Sequence, residues 1–360
     1  MEALLGKTLE ELQAVAIEIG LPKFAGKQLA EWLYVRRVRS FDEMTNISLK
    51  GREALKAAYT IGRHAPVHEA VSADGTRKYL FEVSNLPSSI TNHKSCFIET
   101  VYIPEDDRAT LCVSTQAGCK MGCRFCMTGT LGFHGNLSAA EILNQIFEID
   151  AVAVAAGREP LSNIVYMGEG EPMDNIDEVL RSLAVMTAPY GCAWSPKRIT
   201  VSTVGIPAMK RFLDESECHL AVSMHDPFAV EREQIMPAEK IMSITEVVSL
   251  LKQYDWTHQR RLSFEYICWA ELNDTPRHAR ELLRLLKGLN CRINLIRFHE
   301  GVEKIAQTHI ESRHFPGSND KQMEWMRDYL SENGITSTIR RSRGEDILAA
   351  CGMLVNSVNN

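Results

Sequence analysis

Residues 111–126 read Leu-Cys-Val-Ser-Thr-Gln-Ala-Gly-Cys-Lys-Met-Gly-Cys-Arg-Phe-Cys. The first five read as a β-strand. Three cysteines then fall inside eight residues, Cys119, Cys123 and Cys126, spaced C-x₃-C-x₂-C. Soft thiolates suit an iron–sulfur cluster or zinc. Three ligands on a four-iron cluster leave one iron open, so the triplet points to chemistry more than to scaffolding. A zinc site would need a fourth ligand. Cys112 and His134 are the candidates, but paired C-x₂-C knuckles are the usual zinc pattern.

Downstream of this stretch, strand and helix patterns alternate. Strands are expected at 111–115, 163–167, 198–203, 219–224, 262–267 and 292–296. Helices are expected at 138–156, where Ser138 and Glu141 form a capping box, and at 175–188, 245–254 and 276–287. Six βα repeats imply a parallel sheet, either open and doubly wound or a partial barrel, with functional loops at the carboxyl ends of the strands. A last helix over 321–333 precedes a strand at 335–340. Upstream, 77–83 and 97–103 read as strands, with Asp74-Gly75 as a turn signal. Residues 1–60 read as helices: Thr8 and Glu11 make a capping box ahead of a Leu9, Leu12, Val15, Ala16 and Ile19 stripe, and further helices are expected over 24–37 and 49–59.

At 360 residues the chain fits one α/β barrel with an appendage. Its 45% apolar and 24% charged residues are an ordinary globular balance, and no apolar run approaches the roughly 20 residues of a membrane span. The first residues lack a secretory pattern, so a cytoplasmic, reducing location is expected. Ten cysteines there read as ligands, catalytic thiols and core residues, not as disulfides. The net charge of −6 argues weakly against nucleic-acid binding, yet Arg36/Arg37/Arg39 and Arg340/Arg341/Arg343 form local basic clusters that could contact phosphate.

With Phe125 between its second and third cysteines, the triplet resembles the cluster motif of the radical S-adenosylmethionine (SAM) superfamily. Gly168-Glu-Gly-Glu-Pro172 resembles the superfamily loop that receives the amino group of SAM. Five stretches resemble the adenine-C2 methyltransferases of large-subunit ribosomal RNA, the RlmN family, and their antibiotic-resistance relatives, Cfr. They are Glu99–Pro104, the triplet extended through Thr128-Gly129, Gly168–Asn175, Ser195–Gly205 and Arg343–Gly352.

This resemblance implies a partial (β/α)₆ TIM-like barrel over 96–345, a small helical accessory domain with linking strands over 1–95, and a tail over 346–360. It implies a [4Fe-4S] cluster on Cys119, Cys123 and Cys126. SAM would be bound by Gly170, Glu171, Ser202, Ser223, Met224, His225 and Asn294. It implies methylation of C2 of an adenine in 23S rRNA, and of an adenine in some tRNA, using two SAM molecules. Cys351 would carry the methyl group, Glu99 would accept the C2 proton, and Cys112 would release product by forming a disulfide with Cys351. An external, flavodoxin-like electron donor, a monomeric state and no membrane are expected. Methylation at C8 of the same rRNA adenine is the nearest alternative. A non-enzymatic zinc- or RNA-binding protein is the alternative of another class. Two departures from the family pattern stand out: Met224 in place of leucine, and the 298–315 stretch.

Overall fold

The computed structural model describes residues 1–83, 96–258, 260–298 and 316–354, so most of the divergent 298–315 stretch lies outside the described residues. At the amino end, the Thr8 side chain accepts from the Glu11 amide and the Glu11 carboxylate accepts from the Thr8 amide, starting α1 (Leu9–Glu18). Helix α2 (Ala25–Ala30) runs on into a π-helical turn, Glu31–Val35, and α3 (Leu49–Ala58) starts at a Ser48 cap. A short parallel pairing of Glu2–Ala3 with Tyr59–Thr60 ties the ends of this helical part together.

Ten strands form one sheet: β1 (His68–Val71), β2 (Arg77–Val83), β3 (Cys96–Glu105), β4 (Arg108–Cys112), β5 (Asn163–Tyr166), β6 (Ile199–Thr203), β7 (His219–Ser223), β8 (Leu262–Cys268), β9 (Arg292–Arg297) and β10 (Thr336–Arg340). Their spatial order is their sequence order. Strands β1 to β4 pair antiparallel, and β4 to β10 pair parallel. The order never reverses, which excludes the doubly wound alternative, because that architecture winds outward in both directions from its first strand. The sheet is also curled. Five inter-strand steps of about 4.8 Å would put β10 roughly 24 Å from β5 in a flat sheet, yet Arg340 on β10 reaches the sulfur of Met167, just past β5, at 4.0 Å. The result is a partial barrel, as expected. Strand β1 went unread because its residues are mostly exposed and show no apolar alternation.

Helices cover the outer face of the curl: α4 (Ala139–Ala155), α5 (Ile176–Thr187), α6 (Met209–Glu215), α7 (Ala229–Ile235), α8 (Ile244–Leu251), α9 (Pro276–Leu286) and α10 (Asp320–Glu332). Helix α4 begins at the expected Ser138–Glu141 capping box and buries Ile142, Leu143, Ile146, Phe147 and Ile149. The short α6 and α7 span seven residues each, too few turns to show a helical period in sequence. Helix α4 also docks the helical part. Its Glu148 pairs with Arg39 and, at 2.8 Å, with Arg63; its Asp150 pairs with Arg37; and its Asn144 bonds both the amide and the carbonyl of His64 at 3.0 Å.

Several strand ends are fastened by one fully buried cation. Arg232 on α7 donates to the carbonyls of Val204 (2.7 Å), Ser223 (2.9 Å) and Met224 (3.0 Å), and pairs with Glu239. Truncating one partner of a buried pair leaves an uncompensated charge, so Arg232→Ala should cost about 3–5 kcal/mol of unfolding free energy in urea titrations. The double change Arg232→Met with Glu239→Leu should recover much of that loss.

Candidate active site

The curl converges on a cavity with about 840 Å³ of empty space, its open mouth included. Its lining contains Cys119, Cys123, Cys126, Gly170, Glu171, Ser202, Ser223, His225 and Cys351, so nine of the residues singled out in the sequence meet there. The cysteine loop leaves a small hairpin in which Gln116–Gly118 pairs with Phe133–Asn136. Gly118 turns the chain at φ +71°, and a Cβ there would stand 1.9 Å from the Gly132 carbonyl, so only glycine fits. The Gly132 carbonyl in turn accepts from the Cys119 amide at 2.9 Å.

Burial pushes the thiols of all three cysteines up, to about 12 at Cys119, and each of Cys119 and Cys123 is raised further by its neighbouring cysteines. Three thiolates could share this space only with a multivalent cationic centre to offset their charge. The donor set therefore fits a thiolate-bound iron–sulfur cluster. Phe125 lies edge-on to His225, with ring centroids 4.6 Å apart, and against Trp269. His225 Nδ1 accepts from the Ile267 amide at 3.0 Å, which leaves the ring proton on Nε2. Burial, with Arg232 nearby, lowers the imidazole to about 3, so the ring is neutral at physiological pH.

The two glutamates of Gly168–Pro172 divide the work. Glu169 is a brace: its carboxylate accepts from the Glu99 amide (2.8 Å) and the Gly118 amide (3.2 Å), and burial, with Glu99 close by, raises it to about 8. Glu171 lines the cavity, accepts from Met173 (3.0 Å) and Val204 (2.8 Å) amides, and is raised by burial to about 7. A carboxyl so poised ionises readily when an ammonium group arrives. Gly170, at φ +99°, brings the backbone against Gln116, where a Cβ would meet the Gln116 side chain at 2.5 Å.

Four of the singled-out residues are not in the lining. The Met224 side chain is buried in the core. Asn294 donates to Glu265 at 2.8 Å. Glu99 is buried and pairs with Lys78 at 2.9 Å, and Lys78 also reaches the Leu348 carbonyl at 3.4 Å. Cys112 packs with Val101, Ala349 and Leu354, under the tail that carries Cys351. Burial, with Cys351 close by, pushes the Cys112 thiol up to about 12.

The tail is fastened to the cysteine loop. The Met127 amide donates to the Gly352 carbonyl (2.7 Å), Thr128 Oγ1 donates to the Leu354 carbonyl (3.2 Å), and Ala350 and Met353 pack on Met127. Cys351 stays exposed at the cavity. Two lining residues bear on this thiol in ways the sequence did not disclose. Glu265, on β8, holds Arg340 at 3.3 Å, and the nearby Cys351 sulfur, with Glu265, pushes the Arg340 guanidinium up from its ordinary value against the effect of burial. Arg340 is thus a cavity-wall residue facing the thiol, not a free phosphate contact. Arg343 lies 3.9 Å from Asp74. The Arg36/Arg37/Arg39 cluster also forms ion pairs within the chain, with Glu31, Asp150 and Glu148 respectively, while Arg36 and Arg39 stay about half exposed.

Comparison with known proteins agrees with this geometry. Residues 3–61 match the family model described as the ribosomal RNA large subunit methyltransferase N-terminal domain. A Bacteroides fragilis protein named probable dual-specificity RNA methyltransferase RlmN is 54% identical over 352 residues, covering 98% of this chain and 95% of that one. A Porphyromonas gingivalis protein of the same name is also 54% identical, covering 98% and 97%. The crystal structure of a radical SAM methyltransferase from Sphaerobacter thermophilus superposes with a TM-score of 0.85 at 34% identity, covering 98% and 99%. The chain belongs to the RlmN family. It is a radical SAM RNA methyltransferase of mixed α/β fold. Among the described residues of this RlmN-family enzyme, no helix is long and apolar enough to cross a membrane.

A cation in the cavity wall attracts an anionic reagent to the sulfur it faces. Arg340→Gln should therefore lower the rate of Cys351 alkylation by iodoacetate relative to that by neutral iodoacetamide. Peptide mass mapping over a time course measures this, with an unchanged ratio excluding Arg340 as the charge facing the thiol.

Proposed function

We propose that this enzyme methylates C2 of an adenine in 23S rRNA, and of an adenine in tRNA, using Cys351 as the methyl carrier. The observation that carries this reading is the seating of a tail cysteine, Cys351, in the wall of the cavity that holds Cys119, Cys123 and Cys126. Those three thiolates would hold a [4Fe-4S] cluster. Gly170, Glu171, Ser202, Ser223 and His225, which line the cavity, would hold SAM, with Glu171 facing its ammonium group. When bound, these cofactors supply the methyl group and the one-electron chemistry that an electron-poor aromatic carbon requires.

The chain's own residues then divide the remaining steps. The Cys351 sulfur, with Arg340 beside it, takes the methyl group by displacement and presents it to the base. Once the one-electron chemistry that the cofactors would supply has removed a hydrogen atom from that methyl group, its carbon would bond to C2 and join RNA to Cys351 covalently, and the extra electron would return to the same one-electron source as the C2 hydrogen leaves as a proton. Glu99, paired with Lys78, accepts the C2 proton. Cys112 then attacks Cys351 sulfur, forming the S–S bond while the electron pair of the broken S–C bond leaves with the base carbon, which takes up a proton to complete the methyl group. Glu99 and Cys112 both stand behind the tail, and Lys78 bridges Glu99 to the tail carbonyl of Leu348. The tail must therefore shift between methyl loading and release. A reducing, cytoplasmic setting and an external one-electron donor fit a cycle in which the disulfide is opened after each turnover.

The test uses protein reconstituted without oxygen, a dithionite-type reductant, SAM and rRNA fragments. Wild type should yield 2-methyladenosine, and 8-methyladenosine in its place would transfer the assignment to the C8 reaction. Cys112→Ala should accumulate a covalent protein–RNA adduct that migrates slowly on denaturing gels. Cys351→Ala should form neither adduct nor product. Methylation surviving in Cys351→Ala would overturn the carrier role.

A further inference from the structure

Behind the cavity, the corner after β7 holds a cluster that the chemistry above leaves unused. Asp226, Glu231 and His278 each direct one donor atom to a common point, the three lying within 4.8 Å of one another. They come from three places: the residue after His225, the first turn of α7, and α9. His278 Nε2 shares a hydrogen bond with Glu231 Oε2 at 2.9 Å, where a cation would replace the shared proton, and stands 3.7 Å from Asp226 Oδ2. The remaining oxygens are occupied elsewhere. Asp226 Oδ1 accepts from the Phe228 amide at 2.8 Å, and Glu231 Oε1 pairs with Arg277 at 2.6 Å. Asp226 is 1% exposed, and among the described residues its Oδ2, aimed into the cluster, makes no hydrogen bond.

A buried carboxylate oxygen without a donor is costly unless something cationic meets it. Donor bonds of about 2.0–2.2 Å place neighbouring ligands roughly 3 Å apart. The 2.9 Å separation already meets that spacing, and a small rotation of Asp226 would close the 3.7 Å one. The outer groups also resemble those around metal ligands: Thr275 Oγ1 holds His278 Nδ1 at 2.7 Å, and Arg277 covers Phe228, which lies edge-on to His278. Two carboxylates and an imidazole suit a hard or borderline ion, unlike the soft triplet.

We propose that Asp226, Glu231 and His278 form a binding site for a first-row divalent cation that clamps the loop of His225 to helix α9. Burial, with Glu231 adding to it and Arg277 and Arg232 opposing it, raises the Asp226 carboxyl to about 7. The clamped residue matters to the cavity, because His225 is a non-glycine residue at φ +54° whose ring lies against Phe125. The site does not depend on how the methyl group is carried.

The test takes the full chain with its iron–sulfur cluster in place, so that the thiolates are already occupied. Mn²⁺, which avoids thiolates, is titrated without oxygen, and the free ion is read by electron paramagnetic resonance. One saturable site per chain is expected, weakened about tenfold or more in Asp226→Asn and in His278→Gln. Wild-type protein should also melt at higher temperature in saturating Mn²⁺, a readout that stands even if a variant folds poorly. Absence of saturable binding and of a melting shift in wild type, or equal binding by both folded variants, would overturn the site.

Discussion

Three half-buried thiols within one loop set the terms for the rest of this structure. None ionises easily where it stands, because burial and its neighbours oppose the charge. Holding that loop in place therefore falls to groups that are not ligands. Glu169 accepts from Gly118 at the loop's entry, Met127 donates to Gly352 at its exit, and Phe125 packs on His225 and Trp269 midway. Gln145 of α4 grips the preceding Ser114 through both its amide and its carbonyl, at 2.9 and 3.0 Å. The curl of the sheet is the larger device of the same kind, since it brings β10 with Arg340 back toward the loop after β5.

The tail completes the cavity and also covers the groups that would act last. Residues 348–354 lie over Cys112 and take a hydrogen bond from Lys78, the partner of Glu99. A single arrangement of the tail thus presents Cys351 to the cavity while holding Cys112 in an apolar pocket with its thiol pushed up to about 12. A thiol held protonated is a poor nucleophile, which opposes a premature disulfide with the nearby Cys351, and tail movement belongs to the proposed cycle.

Much of this was legible in the sequence where the signal was local. The strand-to-triplet stretch, the capping boxes at Thr8–Glu11 and Ser138–Glu141, and the glycine–glutamate turn at Gly168–Pro172 each declare themselves within a few residues. The parallel βα alternation was legible too, because fully buried strands such as Phe264–Cys268 have no polar face to confuse them. What escaped depends on partners far along the chain. Arg36, Arg37 and Arg39 read as a local basic cluster, and the sequence did not show that Arg37 and Arg39 also meet carboxylates over a hundred residues away. Glu265 carries no signal in the sequence, and only the curl sets it against Arg340. Asp226, Glu231 and His278 carry no spacing that marks them as a set.

The most direct measurement of the central claim is the covalent state of Cys351 in the active enzyme. Protein given SAM without RNA, then digested and analysed by peptide mass spectrometry, should carry one methyl group on the sulfur of Cys351 and none on Cys112, and that methyl should pass to adenine when RNA and reductant are added. Active enzyme whose Cys351 remains unmethylated before RNA is added, with label reaching adenine only from SAM in solution, would contradict the account.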